Sequence, residues 1–166
     1  PAAQAGVRDE RARFREVFCQ VLADRADVLP AYRPCDQALV RVAGEPDAAG
    51  DAVDLGSSRR ELVAVVVPGV GWDCFSEWLG NDDAGTAHLR QFGFDSITLD
   101  VDGLSSSANN ARQIRDAILQ MPLPGPEPRL VLIGYSKGAP DILEAVVSYP
   151  EIRERVAAVV SAAGTI

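Results

Sequence analysis

The chain has 166 residues, 47 % of them hydrophobic, a globular composition with enough material for one domain and a sizeable core. Sixteen Lys and Arg against 24 Asp and Glu leave a formal charge of −8. That balance argues against a nucleic-acid groove, which needs clustered cations to displace counterions, and no apolar run reaches the roughly 20 residues that span a bilayer.

Residues 1–6 read as a loose terminus, and the start at Pro1 reads as processed or trimmed. "RDERARFREVFCQVLADRADVL" follows. It sets Phe14, Val17, Phe18, Val21 and Leu22 at three- and four-residue spacing among charges. That spacing predicts an amphipathic helix with one core-facing stripe. Of the three cysteines, Cys19 and Cys35 bracket a short segment that contains Pro30 and Pro34. Bridged, a loop of roughly 15 residues would gain about 3 kcal/mol from its restricted unfolded state and would imply an oxidising compartment. Unbridged, the two are buried thiols. There is no CxxC and one histidine, so no metal site is expected. "QALVRV" (Gln37 to Val42) reads as a short strand, and "AGEPDAAGDAVDLGSSRR" as an exposed Gly/Asp/Pro-rich connection.

From Glu61 the texture changes. "ELVAVVVPGV", "GFDSITLDVDG" (Gly93 to Gly103), "RLVLIGYS" and "RVAAVVSAAG" (Arg155 to Gly164) read as strands. Between them lie three helix candidates: residues 81–92, "SANNARQIRDAILQM" with Ser107 as its cap, and "KGAPDILEAVVSYP", stopped by Pro150. Strands that alternate with helices, and are aliphatic without clean alternation, predict an α/β fold: a mostly parallel sheet covered by helices on both faces. Residues 1–60 supply the first helix, strand and connection, and 61–166 the sheet, together one domain. Crossovers of one hand bring all the strand C-termini to one edge, where such sheets bind ligands. Pro68 to Gly71, Asp100 to Gly103, Ser136 and Ala162 to Gly164 are expected there.

Gly134-Tyr135-Ser136-Lys137-Gly138 fits G-x-S-x-G at a strand-to-helix junction. A serine that projects from so tight a turn leaves no room for side chains two residues before and after, hence the structural glycines Gly134 and Gly138. The helix that follows aims unpaired N–H groups at the same spot and favours developing negative charge there. Pro140 is tolerable in that first turn, where an N–H would lack an intrahelical partner. The Lys137 side chain reads as solvated, and Asp141 as a surface ion pair or helix-start charge.

From Glu61 to Gly164 the chain resembles the front part of an α/β-hydrolase of the serine esterase or lipase kind, on the Ser136 turn, the "VVVPGVGWDCF" loop and their order. The resemblance implies a carboxylic ester hydrolase acting on small-molecule acyl esters. Ser136 would be the nucleophile, and no cofactor would be needed. Lys137 would offer one oxyanion-hole N–H, and Val70 or Gly71 the other. Trp72, Phe75 and Trp78 either wall an acyl pocket or pack the loop.

The family order is Ser, then Asp or Glu, then His. The residues after Ser136 hold Asp141, Glu144, Glu151 and Glu154 but no histidine. The single histidine, His88, falls in a covering helix and reads as an ordinary helix residue. The acid and base are therefore expected beyond this stretch, in a longer polypeptide or a second chain that completes the C-terminal side of the sheet. Two other classes compete. One is a non-catalytic binding or scaffold subunit that kept the turn. The other is a nucleotide-binding module, disfavoured because Cys74 stands at the third glycine position and Asp100 comes later than the roughly twenty residues such folds use. The cysteine pairing points to a periplasmic or secreted protein.

Overall fold

Where the chain reads LVAVVV it forms β1 (Leu62–Val67), an inner strand of a four-stranded parallel sheet. The computed structural model describes residues 6, 8–58, 60–72, 89–123 and 125–164. They divide into two units, Pro1–Leu55 and Gly56–Ile166.

In the second unit, β1 is followed by β2 (Phe94–Thr98), α3 (Ser107–Gln120), β3 (Leu130–Tyr135), α4 (Gly138–Ser148), the short α5 (Pro150–Arg153) and β4 (Val156–Ala162). The sheet order is β2-β1-β3-β4, all parallel. Val67 lies beside Gly134, and Gly134 beside Ser161, so three strands end nearly level. A register shift at Leu130/Val131 marks an irregularity between β3 and β4. Val65 and Val67 of β1 and Leu130 and Leu132 of β3 share a face. They are buried with Ile114 and Ile118 of α3, Ile142 and Ala145 of α4, and Ile152. The i, i+4 pair Ile114 and Ile118 is the periodicity that made α3 legible as a helix. Ala64, on the opposite face of β1, is buried as well. The covering helix expected over 81–92 lies mostly outside the described residues; residues 89–91 are helical.

Helix boundaries follow local chemistry. The cap of α3 is Ser106, not Ser107: its backbone is extended and its side chain accepts from Asn109 N–H at 3.2 Å. Three serines in a row, Ser105 to Ser107, offered the same hydroxyl, and the one whose oxygen reaches the N–H three residues on takes the role. Pro140 sits in the first turn of α4, and Pro150 opens α5 after the chain has left α4.

The first unit contains α1 (Arg11–Asp24) and α2 (Cys35–Ala38), joined by a Cys19–Cys35 disulfide. The strand expected over Gln37 to Val42 is absent. Its beginning is helical in α2, with Gln37 N–H and Ala38 N–H both bonded to Pro34 C=O, and no neighbouring strand pairs with residues 39–42. A lone alternating run has no ladder to join, so local hydrogen bonds win. The apolar stripe of α1 is not a core stripe either, for no residue of α1 is buried and Phe14 is 62 % exposed. Arginines anchor this helix instead. Arg15 pairs with Glu45 and bonds Leu39 C=O, and Arg13 bonds Asp51 C=O and Ala52 C=O. Glu16 accepts from Gly50 N–H at 2.7 Å. The Arg15 hydrogen bond is the main influence that holds the Glu45 carboxyl down to about 2.

Candidate functional site

β1 runs on to β2 on one side, and the chain then crosses to β3 on the other. The C-terminal ends of β1 and β3 thus form a switch point, the place where open α/β sheets leave a crevice. The loop after β1, Pro68 to Gly71, and the turn after β3, with Ser136, meet there.

Ser136 has φ 52, the left-handed region that a non-glycine residue seldom enters. Strain of this kind is held only where the surroundings dictate it. Ser136 N–H donates to Ala162 C=O at the end of β4 (2.9 Å), and Ser136 C=O accepts from Ala139 N–H (3.1 Å). The flanking glycines are walled in by backbone. A Cβ on Gly134 would come 2.5 Å from Gly138 O and 2.6 Å from Ala139 N. One on Gly138 would overlap Val67 O and stand 2.7 Å from Pro68 O. The loop after β1 lies as close. A Cβ on Gly69 would be 2.8 Å from Ser136 Cβ and 3.3 Å from its Oγ. Sequence reasoning placed Pro68 to Gly71 at this edge and named Val70 or Gly71 as the second donor; it gave no role to Gly69, whose backbone lies against the serine. The Pro68-Gly69 pair was the available signal. Val70 is exposed and Gly71 has φ 77.

The loop after β2 closes the edge. A Cβ on Gly103 would be 3.3 Å from both Gly71 N and Val70 Cα. From the far side, a Cβ on Gly164 would meet the Ala139 and Ser161 side chains. The loops after β1 and β4 therefore meet the Ser136 turn directly, and the loop after β2 packs behind Val70 and Gly71.

Asp141 corrects the sequence reading. It is not on the surface: the residue is 1 % exposed. Lys137 Nζ donates to Asp141 Oδ1 at 3.0 Å and Oδ2 at 2.7 Å, and the lysine side chain is only 19 % exposed, so it is not simply solvated. Asn110, fully buried on α3, donates through Nδ2 to Asp141 Oδ2 (2.7 Å) and to Asp102 C=O (2.9 Å). Its Oδ1 has no protein partner. The i, i+4 spacing of Lys137 and Asp141 was visible in the sequence; the α3 side chain that buries their pairing was not.

His88, Cys74, Phe75 and Trp78 lie outside the described residues, and Trp72 is half-buried. Among the described residues no group of three or more His, Cys, Asp or Glu side chains could hold a metal ion. A cavity of about 450 Å³ lies at the opposite edge of the sheet, lined by Glu61, Val63, Arg90, Phe94 and Arg129 among others, and does not include Ser136.

No protein-family model matches the chain, and no curated protein does. Among solved structures it is similar to the crystal structure of the metagenomic carboxyl esterase MGS0156. Identity is 39 % and the TM-score 0.83, over 100 % of this chain and 50 % of that one. The chain thus spans about half the length of the structure it matches, and its fold is a partial α/β-hydrolase-like, esterase-like fold.

Proposed function

We propose that this chain carries the nucleophile of a serine carboxylic ester hydrolase whose substrate is a small-molecule acyl ester. One observation carries the reading. Ser136 is held at φ 52 on the turn between β3 and α4, with the Gly69 backbone against its side chain. The likeness to a carboxyl esterase over the full length of the chain supports it.

In this reading Ser136 Oγ attacks the acyl carbon while its proton passes to a base. The carbonyl electron pair moves onto oxygen, and the oxyanion faces the backbone N–H of Lys137 and that of Val70 or Gly71. Charge appears on that oxygen only near the transition state, so preset donors lower the barrier; losing one typically costs roughly 3–4 kcal/mol. Collapse expels the alcohol, which takes the proton back from the base, and leaves an acyl-Ser136. A water deprotonated by the same base then releases the acid. No cofactor enters the reaction. The base and its orienting carboxylate come from residues outside these 166, since no histidine follows Ser136. A C-terminal segment or second chain would bring them and complete the sheet beside β4. Among the described residues β4 is an edge strand, with Val160 exposed. The disulfide favours a periplasmic or secreted location, and no described helix is long and apolar enough to cross a membrane.

A fluorophosphonate probe on the full-length protein tests this. Labelling should fall on Ser136, and Ser136→Ala should remove it together with at least roughly a thousandfold of esterase activity. A protein that hydrolyses no ester and leaves Ser136 unlabelled would be a non-catalytic subunit that kept the turn.

A further inference from the structure

Asn110 and Asp141 are the buried polar side chains among the described residues, and no step above uses either. Burial of a carboxylate is unfavourable without close partners, and replacing such a pair by apolar side chains of like volume is often neutral or stabilising. Their connections run between the two halves of the edge around Ser136. Lys137, whose backbone follows the serine, grips Asp141 one helical turn on, through both carboxylate oxygens. Asp141 Oδ2 also receives one Asn110 Nδ2 hydrogen, at 2.7 Å. The other goes to Asp102 C=O, 2.9 Å away, which also accepts from Ser105 N–H. Asp102 precedes Gly103, the residue packed against Val70 and Gly71.

We propose that Asn110, Asp141 and Lys137 form a brace that sets the separation of the two oxyanion donors, tying the Lys137 turn to the loop that backs Val70 and Gly71. The proposal rests on the reading of Ser136 as nucleophile. These are positioning residues: they touch neither substrate nor reacting atoms and act through the backbone they hold. The Nδ2 group meets two acceptors, which fixes the amide's orientation and leaves Oδ1 as the unpartnered atom. A brace of this kind affects transition-state binding far more than ground-state binding, because oxyanion donors must fit the tetrahedral oxygen.

The test uses the full-length protein with Asp141→Asn, Asn110→Ala, Lys137→Met and Lys137→Arg. It measures kcat, KM and the dissociation constant of a trifluoromethyl ketone, which adds to a catalytic serine as a tetrahedral oxyanion. Each value is expressed per reactive serine, counted by fluorophosphonate titration, so unfolded protein does not enter it. Asp141→Asn, Asn110→Ala and Lys137→Met should lower kcat by about 10- to 100-fold with KM within about threefold. Ketone affinity should fall in step with kcat/KM, and Lys137→Arg should recover most of the loss. Should Asp141→Asn fail to fold, Asn110→Ala carries the same comparison, because it leaves the Lys137–Asp141 ion pair intact. Unchanged kcat and ketone affinity per titrated serine would overturn the brace while Ser136→Ala remained inactive. Esterase activity that survives Ser136→Ala would overturn both the brace and the nucleophile assignment.

Discussion

Replacing Gly138 by alanine puts one methyl group where the backbone at the end of β1 already stands. The added Cβ would overlap Val67 O and lie 2.7 Å from Pro68 O and 2.8 Å from Val67 C. None of these atoms is the end of a flexible side chain. Relief requires α4 to back away from β1, against the packing of Ile142 and Ala145 on Val65, Leu130 and Leu132. Overpacking of a well-filled interior costs typically 1–3 kcal/mol, and a rigid backbone neighbour puts the expected loss near the top, about 3 kcal/mol. At roughly 2–4 °C per kcal/mol for a chain of this size, Tm should fall by about 6–12 °C. Gly44 is the control: it has φ 74 and nothing within 4 Å of an added Cβ. Gly44→Ala therefore meets backbone strain without a clash, of order 1–2 kcal/mol. The assay is thermal unfolding of both variants, with fluorophosphonate labelling of Ser136 below the transition. Gly138→Ala should also slow labelling by about a hundredfold, because the displaced β1 end carries the loop against the serine. If its Tm stayed within 2 °C or so of the parent, the contact between the first turn of α4 and the end of β1 would be refuted.

Two further outcomes concern the first unit. Glu45 titrates at about 2 in the folded chain instead of its ordinary 4.5, chiefly through its hydrogen bond from Arg15. A lowered carboxylate contributes stability that is complete above pH 4.5 and is lost as pH falls from 4.5 towards 2. Thermal unfolding across that range should show a smaller acid loss in Glu45→Gln than in the parent, and equal losses would refute the pairing. Cys19 and Cys35 are 16 residues apart in sequence. The paired change Cys19→Ser/Cys35→Ser should destabilise this unit by about 3 kcal/mol, read as earlier amide exchange in α1 and α2; unaltered exchange would show that the bridge constrains nothing.

The sheet was legible because its information is local. Runs such as LVAVVV and LVLIGY, with helices between them at βαβ spacing, specify strands covered by other elements wherever in space they lie. The Ser136 turn was legible for the same reason. A glycine two residues to either side of one serine, at a strand end, encodes a tight bend within five positions. Errors appeared where local pattern lacked a partner. Gln37 to Val42 alternates like a strand but has no neighbour to pair with, and α2 forms in its place. The α1 stripe has helical spacing, yet its residues stop short of burial while Arg13 and Arg15 make its long-range bonds.

The sequence by itself determined the order of strands and helices from β1 to β4 and the bend at Ser136, and left Cys19 and Cys35 as either a bridge or two thiols, which the structure resolves as a bridge. Only the tertiary structure decided that Asp141 is interior, that Asn110 reaches it from α3, and that Gly69 touches the serine. The reason is physical. Backbone preferences and hydrophobic periodicity act over a few neighbouring residues, whereas burial of a charge depends on which side chains arrive from distant parts of the chain. Lys137 and Asp141 are four apart on either a wet or a dry helix face, and the packing of α3 against α4 makes this face dry.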